Sequence, residues 1–198
     1  MDTVTVNRHS TRLPGVDYAQ HGAYFVTVCA HQSQPIFGHV EQGNMSLNAI
    51  GQFAQECWYE LAPRFSWIEL DEFVVMPNHC HGIVVLRGIH SEAAPVEPQS
   101  RLRPGTLGLA IGQWKCQVTR RTAHLRRAPP FFAPVLWQRN YYERIIRNER
   151  ELLETRRYII ENPIRWENRK REAPPGENRQ TKAAGAPQNI TGDGHRPL

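Results

Sequence analysis

The sequence predicts an α+β fold in which four strands form one antiparallel sheet, and three observations support this prediction. Apolar, β-branched segments of strand length alternate with longer segments whose apolar residues recur at helical spacing. Two of the strand segments are separated only by a Pro-Asn break, which indicates a hairpin. The 198 residues suit one domain of ordinary size with terminal tails, and the sequence shows no internal repeat.

The first half of the chain contains three predicted strands and one predicted helix. Residues 23–31 (AYFVTVCAH) are aromatic and β-branched, which is typical of a strand. Residues 46–65 carry apolar side chains at helical spacing and are predicted to be helical. Residues 67–76 form the second predicted strand, and residues 79–86 (HCHGIVVL) form the third, which pairs with the second as a hairpin.

The second half contains two predicted helices and the fourth strand. Residues 87–105 hold three prolines and no apolar period, so we expect a flexible loop there. Residues 106–125 place their apolar side chains on one stripe and are predicted to be helical. Residues 134–146 form the fourth predicted strand. Residues 148–162 form a helix that ends at Pro163, because the residue before a proline disfavours the helical region.

This order, β-α-β-β-α-β with an added C-terminal helix, is the split βαβ pattern of ferredoxin-like folds. In that topology the third strand lies in the middle of the sheet. Composition divides the chain into an N-terminal arm (1–22), a folded domain (23–166) and a basic tail (167–198) that we expect to be disordered.

The charge and the cysteine pattern narrow the class of protein. A formal net charge of +5 favours a polyanionic partner, of which nucleic acid is the commonest. The four cysteines are scattered and form no C-x-x-C pair, which is typical of reduced residues in a cytoplasmic protein. The sequence contains no basic-then-apolar leader and no apolar run of about 18 residues, so we expect no membrane partner.

Two histidines stand one residue apart inside the otherwise apolar third strand. Because a strand alternates its faces with period two, His79, His81 and Ile83 share one face and Cys80 points to the other. Two buried imidazoles side by side are costly unless something satisfies them, and a metal ion does so readily. The pattern therefore predicts a metal-binding pair, and hydrogen-bonded core histidines are the alternative.

The last predicted helix carries polar residues that can complete such a site. Tyr158 and Asn162 are four residues apart and are therefore neighbours on one helical face. If this face packs on the histidine-bearing side of the sheet, two imidazole nitrogens and one amide oxygen form a three-ligand, partly open site for a divalent cation. Such a site leaves coordination positions for a phosphate oxygen.

Four segments of the chain resemble a known family. A His-hydrophobic-His pair on a central strand, followed much later by a single tyrosine on a helix, is similar to the HUH endonucleases. The chain resembles more closely the REP-associated tyrosine transposases, which are a branch of the single-tyrosine HUH transposases. The segments that carry this resemblance are RLPGVDYAQHGAYFVTVCAH, VVMPNHCHGIVVL, LWQRNYYERIIRNE and YIIENPIRW. The resemblance runs from Arg12 to Trp166. Many relatives have glutamine where this sequence has Asn162, which shortens the reach of the side chain toward a metal.

The resemblance implies a reaction and a role for each residue. Tyr158 would attack a phosphodiester of single-stranded DNA, and His79, His81 and Asn162 would hold Mg²⁺ or Mn²⁺. Cleavage would give a 5′-phosphotyrosine and a free 3′-OH, and attack by another 3′-OH would rejoin strands without a nucleotide cofactor. The implied substrate is single-stranded DNA with REP-like palindromic hairpins. The REP-associated branch implies a monomer, whereas insertion-sequence relatives are typically dimers that exchange the tyrosine helix. The implied protein is associated with the nucleoid of the bacterial cytoplasm and carries out DNA transposition.

Basic residues are the candidates for contacts with the DNA backbone, because phosphate binding needs donors close to the scissile group. A solvated charged face is the alternative for each of them. The candidate residues are Arg12, Lys115, Arg120, Arg121, Arg139, Arg144, Arg147, Arg156 and Arg157.

Several alternatives stay open from the residues alone. Tyr141 and Tyr142 are rival nucleophiles, and Asn162 is also compatible with a plain helix C-terminal residue. A structural zinc site competes with a catalytic metal, but no cysteine is predicted to face the histidines. In function, the alternative is a domesticated, non-catalytic regulator that binds DNA or RNA on the same fold. A small-molecule metalloenzyme would lack a carboxylate base beside the histidines.

Overall fold

Four strands form one antiparallel sheet in the computed structural model, which describes residues 21–87, 105–127 and 135–172. The strands, numbered in chain order, are β1 (Gly22–Cys29), β2 (Gly38–Glu41), β3 (Asn44–Leu47), β4 (Ile68–Val75), β5 (His79–Leu86) and β6 (Tyr142–Ile146). The sheet has the order β4-β5-β1-β6, with every neighbouring pair antiparallel, and β2 and β3 pair separately. The α+β fold and the central position of the histidine-bearing strand β5 are confirmed.

Five α-helices accompany the strands among the described residues, and polar side chains cap the N-termini of three of them. The helices are α1 (Ala49–Tyr59), α2 (Leu61–Arg64), α3 (Leu107–Arg121), α4 (Glu149–Ile160) and α5 (Asn162–Glu172). Asn48, Thr106 and Asn148 each accept a backbone N–H of the first turn of α1, α3 and α4. Such a cap satisfies a donor that the helix leaves unpaired and stabilises it by about 1 kcal/mol.

The two faces of the sheet carry separate hydrophobic clusters because successive side chains of a strand point to opposite sides. On one face, Cys80 of β5 is buried in a large cluster with residues of α1 and α3, including Trp114. On the other face, Ile83 of β5 packs in a smaller cluster with Tyr158 and Ile159 of α4. The helix with the predicted nucleophile therefore covers the histidine-bearing face.

The last predicted helix, α4, is followed at once by a second helix that contains Pro163. Glu161 keeps helical backbone angles (φ −79°, ψ −6°), and α5 begins at the next residue, Asn162. Pro163 lies in the first turn of α5, where its missing N–H leaves no intrahelical hydrogen bond unmade. The predicted helix end at residue 162 lies two residues past the end of α4, and α5 is a helix that the sequence did not predict. Helix α5 continues to Glu172, six residues past the predicted domain boundary at 166.

Two strand predictions need correction as well. The hairpin of β2 and β3 is not predicted, because its strands of four residues are too short to show a period. Its turn has positive φ at both Gln42 and Gly43 (51° and 74°), which is typical of a two-residue hairpin turn. The fourth strand, predicted from residue 134, pairs with β1 only from Tyr142 onward. Trp137 instead forms an isolated bridge with Ala30.

The predicted arm, loop and disordered tail fall mostly on residues 1–20, 88–104 and 173–198, which lie outside the described residues. Within the part of the chain that the structure describes, none of the helices has the length and apolar character needed to cross a membrane.

Candidate metal and nucleophile site

Two buried histidines of β5 face the same side of the sheet. His79 and His81 are fully buried, and their Nε2 atoms lie 3.0 Å apart. Cys80, between them, belongs to the hydrophobic cluster of the opposite face. The two imidazoles therefore lie side by side, with their Nε2 atoms within hydrogen-bonding distance of each other.

Each imidazole is held at its Nδ1 atom by a second residue. Asn78 Oδ1 lies 2.6 Å from His79 Nδ1, and the amide nitrogen of Asn78 donates to the carbonyl oxygen of Ser33 at 3.1 Å. Thr27 Oγ1 lies 2.8 Å from His81 Nδ1. A hydrogen bond at the outer ring nitrogen is the usual way in which proteins orient metal-binding histidines.

The environment keeps both imidazoles neutral. Burial, with a smaller contribution from the charge of Arg169, lowers the pKa of His79 to about 3. Burial also lowers the pKa of His81 well below its ordinary value, and His79 and Arg169 lower it further. Neutral imidazole is the form that binds a metal ion, so binding at neutral pH requires no net release of a proton from either ring.

Tyr158 of α4 reaches this imidazole pair. Its hydroxyl oxygen lies 3.5 Å from His81 Nε2, and the two ring centroids are 5.2 Å apart. Phe25 of β1 packs edge-on against the phenol with centroids 6.0 Å apart. The guanidinium carbon of Arg165 lies 5.8 Å from the phenol centroid, within the range of a cation–π contact. The Tyr158 ring therefore lies between side chains of β1 and α5, with its hydroxyl close to His81 Nε2.

Asn162 is buried without satisfied hydrogen bonds. It is 1% exposed, and neither its amide nitrogen nor its amide oxygen has a partner among the described residues. Asn162 lies one helical turn after Tyr158 and one turn before Trp166, whose ring centroid is 5.8 Å from that of His79. The helical face that includes Asn162 therefore covers the imidazole pair. An unpaired buried amide costs about 1–3 kcal/mol, which points to a ligand beyond the polypeptide.

These donors fit a divalent cation with octahedral geometry. Two ligands about 2.1 Å from an octahedral ion, at right angles to each other, are about 3.0 Å apart. The observed separation of the Nε2 atoms is 3.0 Å, which is also the length of a hydrogen bond between them, so a cation fits with little movement of the rings. Across residues 21–87, 105–127 and 135–172, no three His, Cys, Asp or Glu side chains are grouped to hold a metal. A structural zinc site of those ligands is thus absent there, and Asn162 is the candidate third donor.

Basic residues of β6 and α4 lie around this face. Arg144 donates to Thr155 Oγ1 at 3.1 Å. Arg156 donates to both carboxylate oxygens of Asp71 at 2.9 and 2.6 Å, and this contact lowers the pKa of Asp71. The ion pair ties α4 to β4 and so holds the tyrosine helix on the sheet. Three further predicted DNA-binding residues are exposed, namely Arg139, Arg147 and Arg157.

Three of the predicted DNA-binding residues lie on α3, which packs on the opposite face of the sheet. Arg121 donates to Glu60 at 2.7 Å, and Arg120 is exposed. Burial lowers the pKa of Lys115 to about 8. The fold therefore does not bring these three side chains to the histidine pair, and Arg12 lies outside the described residues.

The rival tyrosines are farther from the imidazoles. Tyr142 is opposite Thr27 in the strand register, so it shares the histidine-bearing face, and it is 46% exposed. It lies on β6, two strands away from β5, which corresponds to about 10 Å. Tyr141 packs against the cluster on the other face. Of the three candidates, only Tyr158 contacts His81.

Sequence reasoning missed four residues that support the site. Trp166 and Arg169 belong to the part of α5 that was predicted to be tail or its border. The signal that could have identified Trp166 is the spacing of four residues from Tyr158 to Asn162 and from Asn162 to Trp166. This spacing places the three residues on one helical face only if a helix continues through Pro163. Thr27 and Asn78 gave no signal, because their partners depend on the strand register and on a turn.

Comparisons with known proteins bear on the fold and on the family. A protein of Haemophilus influenzae, described as an uncharacterized protein, is 35% identical over 168 residues, which are 81% of this chain and 91% of that protein. A solved structure of a REP-associated tyrosine transposase bound to a REP hairpin superposes with a TM-score of 0.55. It is 18% identical, and the match covers 80% of this chain and 74% of the other. No family model matches the chain.

A second solved structure is a crystal structure of a putative transposase from Deinococcus radiodurans R1, with 16% identity and a TM-score of 0.43. The match covers 78% of this chain and 98% of that one. The sequence match to the Haemophilus influenzae protein shows the family, because it covers 81% of this chain and 91% of that protein, whereas the structural match to the transposase shows the shared fold. This chain therefore belongs to the family of the Haemophilus influenzae protein and has the fold of the REP-associated tyrosine transposase.

Proposed function

We propose that the protein is a divalent-metal-dependent nickase and strand transferase that acts on single-stranded DNA through a covalent tyrosine intermediate. The observation that carries this proposal is the 3.5 Å distance from the Tyr158 hydroxyl to His81 Nε2, at a buried pair of neutral imidazoles. A nucleophile and a cation site are the two components that cleavage of a phosphodiester by tyrosine requires.

In the proposed reaction, the Tyr158 hydroxyl oxygen forms a bond with the scissile phosphorus. The bond from phosphorus to the 3′ oxygen breaks, and the phenolic proton ends on that oxygen, which leaves as a 3′-OH. The downstream strand stays attached to the protein as a 5′-phosphotyrosine. Because this bond retains the energy of the phosphodiester, attack by another 3′-OH rejoins strands without a nucleotide cofactor, as DNA transposition requires.

The proposed ligands of Mg²⁺ or Mn²⁺ are the Nε2 atoms of His79 and His81 and the amide oxygen of Asn162. A bound cation would polarise the scissile phosphate and offset the negative charge of the transition state. Of the two ions, Mn²⁺ accepts imidazole nitrogen more readily. Arg165, whose guanidinium lies over the Tyr158 ring, is a candidate donor to the same phosphate.

The proposed substrate is single-stranded DNA that carries a palindromic hairpin of the REP type. The net charge of +5 supports a nucleic-acid partner. The shared fold supports the hairpin, since the similar REP-associated transposase was solved bound to one. Tyr158 and His81 meet within one chain, which supports a monomer as the active unit. A role at the nucleoid follows from this substrate.

The test is a labelling experiment that reads both the nucleophile and the polarity of cleavage. A single-stranded oligonucleotide with a hairpin is labelled at its 3′ end or its 5′ end and incubated with the protein and Mn²⁺. On a denaturing gel, the 3′ label should appear in a covalent protein band, and the 5′ label should appear in a shortened free fragment. Tyr158→Phe should remove the covalent band and keep DNA binding.

Tyr142→Phe is the matched control, because Tyr142 shares the sheet face but lies two strands away. It should form the covalent adduct at close to the wild-type yield. Loss of the adduct in Tyr142→Phe, with retention in Tyr158→Phe, would assign the nucleophile to the other tyrosine. Binding of the hairpin without any adduct in the wild-type protein would favour the non-catalytic regulator instead.

A further inference from the structure

We propose that Thr27 is a positioning residue that lets His81 change the nitrogen carrying its proton when the imidazole pair binds a cation. The proposal rests on the proposed function, since it takes the pair as the cation site. Thr27 is 5% exposed, and its hydroxyl oxygen lies 2.8 Å from His81 Nδ1. The hydroxyl group of Thr27 can either donate or accept a hydrogen bond through the same oxygen atom.

The partner of the other histidine has no such freedom. The amide nitrogen of Asn78 donates to the carbonyl oxygen of Ser33, so its oxygen faces His79 Nδ1 at 2.6 Å. An amide oxygen only accepts, and His79 Nδ1 must therefore carry the proton. The Nε2 atom of His79 keeps a free electron pair whether or not a cation is bound.

Without a cation, this electron pair determines the state of His81. The two Nε2 atoms are 3.0 Å apart, a distance at which two electron pairs would repel each other. His81 Nε2 therefore carries its proton and donates to His79 Nε2. His81 Nδ1 then has an electron pair, and the Thr27 hydroxyl donates to it.

With a cation, both Nε2 atoms must offer electron pairs to the ion. His81 Nε2 gives its proton to water and Nδ1 takes a proton from water, so the number of protons and the charge of the ring are unchanged. The Nδ1–H group donates to Thr27 Oγ1, and the hydroxyl turns from donor to acceptor. A side chain that could only donate or only accept a hydrogen bond would stabilise one of the two states of His81 and destabilise the other.

Two substitutions separate the hydroxyl from the shape of the side chain. Thr27→Val keeps the branched shape and removes the hydroxyl, whereas Thr27→Ser keeps the hydroxyl. The affinity for Mn²⁺ is measured without DNA, from the electron paramagnetic resonance signal of the free ion. Thr27→Val should bind Mn²⁺ about 10–100-fold more weakly than the wild type, and Thr27→Ser should bind close to the wild type.

The position of the proton is read directly by ¹⁵N nuclear magnetic resonance of the histidine rings, with Mg²⁺ or Zn²⁺ as a diamagnetic probe. His81 should carry its proton on Nε2 in the metal-free wild type and on Nδ1 after metal is added, while His79 stays protonated on Nδ1. Equal Mn²⁺ affinity in the wild type and Thr27→Val, or a His81 proton on Nδ1 in both states, would overturn the role of Thr27. Failure of the wild type to bind Mn²⁺ would instead overturn the cation site of the proposed function together with this inference.

Discussion

Replacing Asn162 by leucine should raise the stability of the metal-free protein and remove its metal binding. The amide is 1% exposed, and both of its polar atoms lack a partner among the described residues. An unpaired buried polar group costs about 1–3 kcal/mol, and leucine has a similar branched shape without polar atoms. Because the leucine branch is not planar, some of the gain is lost to imperfect packing. We therefore expect a net gain of about 1–2 kcal/mol.

The assay is urea unfolding in the presence of a chelator, followed by thermal unfolding with and without Mn²⁺. A gain of 1 kcal/mol corresponds to about 2–4 °C in the melting temperature of a domain of this size. For the wild type, Mn²⁺ at about 100 times its dissociation constant should add about 2.7 kcal/mol. The same Mn²⁺ concentration should leave the melting temperature of Asn162→Leu nearly unchanged.

Asn148→Leu is the matched control, because it makes the same substitution at an amide that has a partner. Asn148 caps α4 by accepting the backbone N–H of Glu151 at 2.9 Å, so its loss should cost about 1 kcal/mol. The control should keep its response to Mn²⁺. A loss of metal-free stability in Asn162→Leu as large as in the control would refute the argument that the Asn162 amide is unpaired. A full Mn²⁺ response in Asn162→Leu would remove this residue from the ligand set.

Two further predictions concern the strand that carries the histidines. Gly82→Ala should destabilise the protein by about 1–3 kcal/mol in urea unfolding, because the added Cβ would clash with the Trp58 ring, whose Cη2 would lie 2.8 Å away. Gly112→Ala, in α3 with nothing within 4 Å, should stabilise it by about 0.5–1 kcal/mol, and a similar effect of both substitutions would contradict this account. The metal-free protein should also lose stability below pH 6.5, because burial lowers the pKa of His79 to about 3 and the unfolded chain then binds a proton that the folded chain excludes. From pH 7 to pH 5 this residue should cost about 2 kcal/mol, and a flat stability profile over that interval would contradict its burial as a neutral ring.

Local patterns in the sequence were enough to predict the sheet and the pairing of the imidazoles. The alternation of a strand places His79 and His81 on one face and Cys80 on the other whatever the rest of the chain does. The apolar strands and amphipathic helices likewise set the order of elements, and with it the central place of β5. Each of these properties depends on residues that are neighbours in the chain.

The sequence was misleading where the same residue type has two local meanings. A proline can end one helix or begin the next, and Pro163 lies in the first turn of α5. The short strands β2 and β3 carried too few residues for a period. Their pairing is seen only in the structure, where both residues of the turn between them have positive φ.

The tertiary structure alone decided what surrounds the imidazoles. Thr27 and His81 are 54 residues apart, and Tyr158 and His81 are 77 residues apart, so their contacts depend on strand register and on how α4 packs. Helix α3, which bears Lys115, packs on the opposite face of the sheet. The period of a helix or strand determines which side of that element a residue occupies. Only the packing of one element on another brings distant side chains into contact, because a contact depends on both surfaces and not on either segment alone.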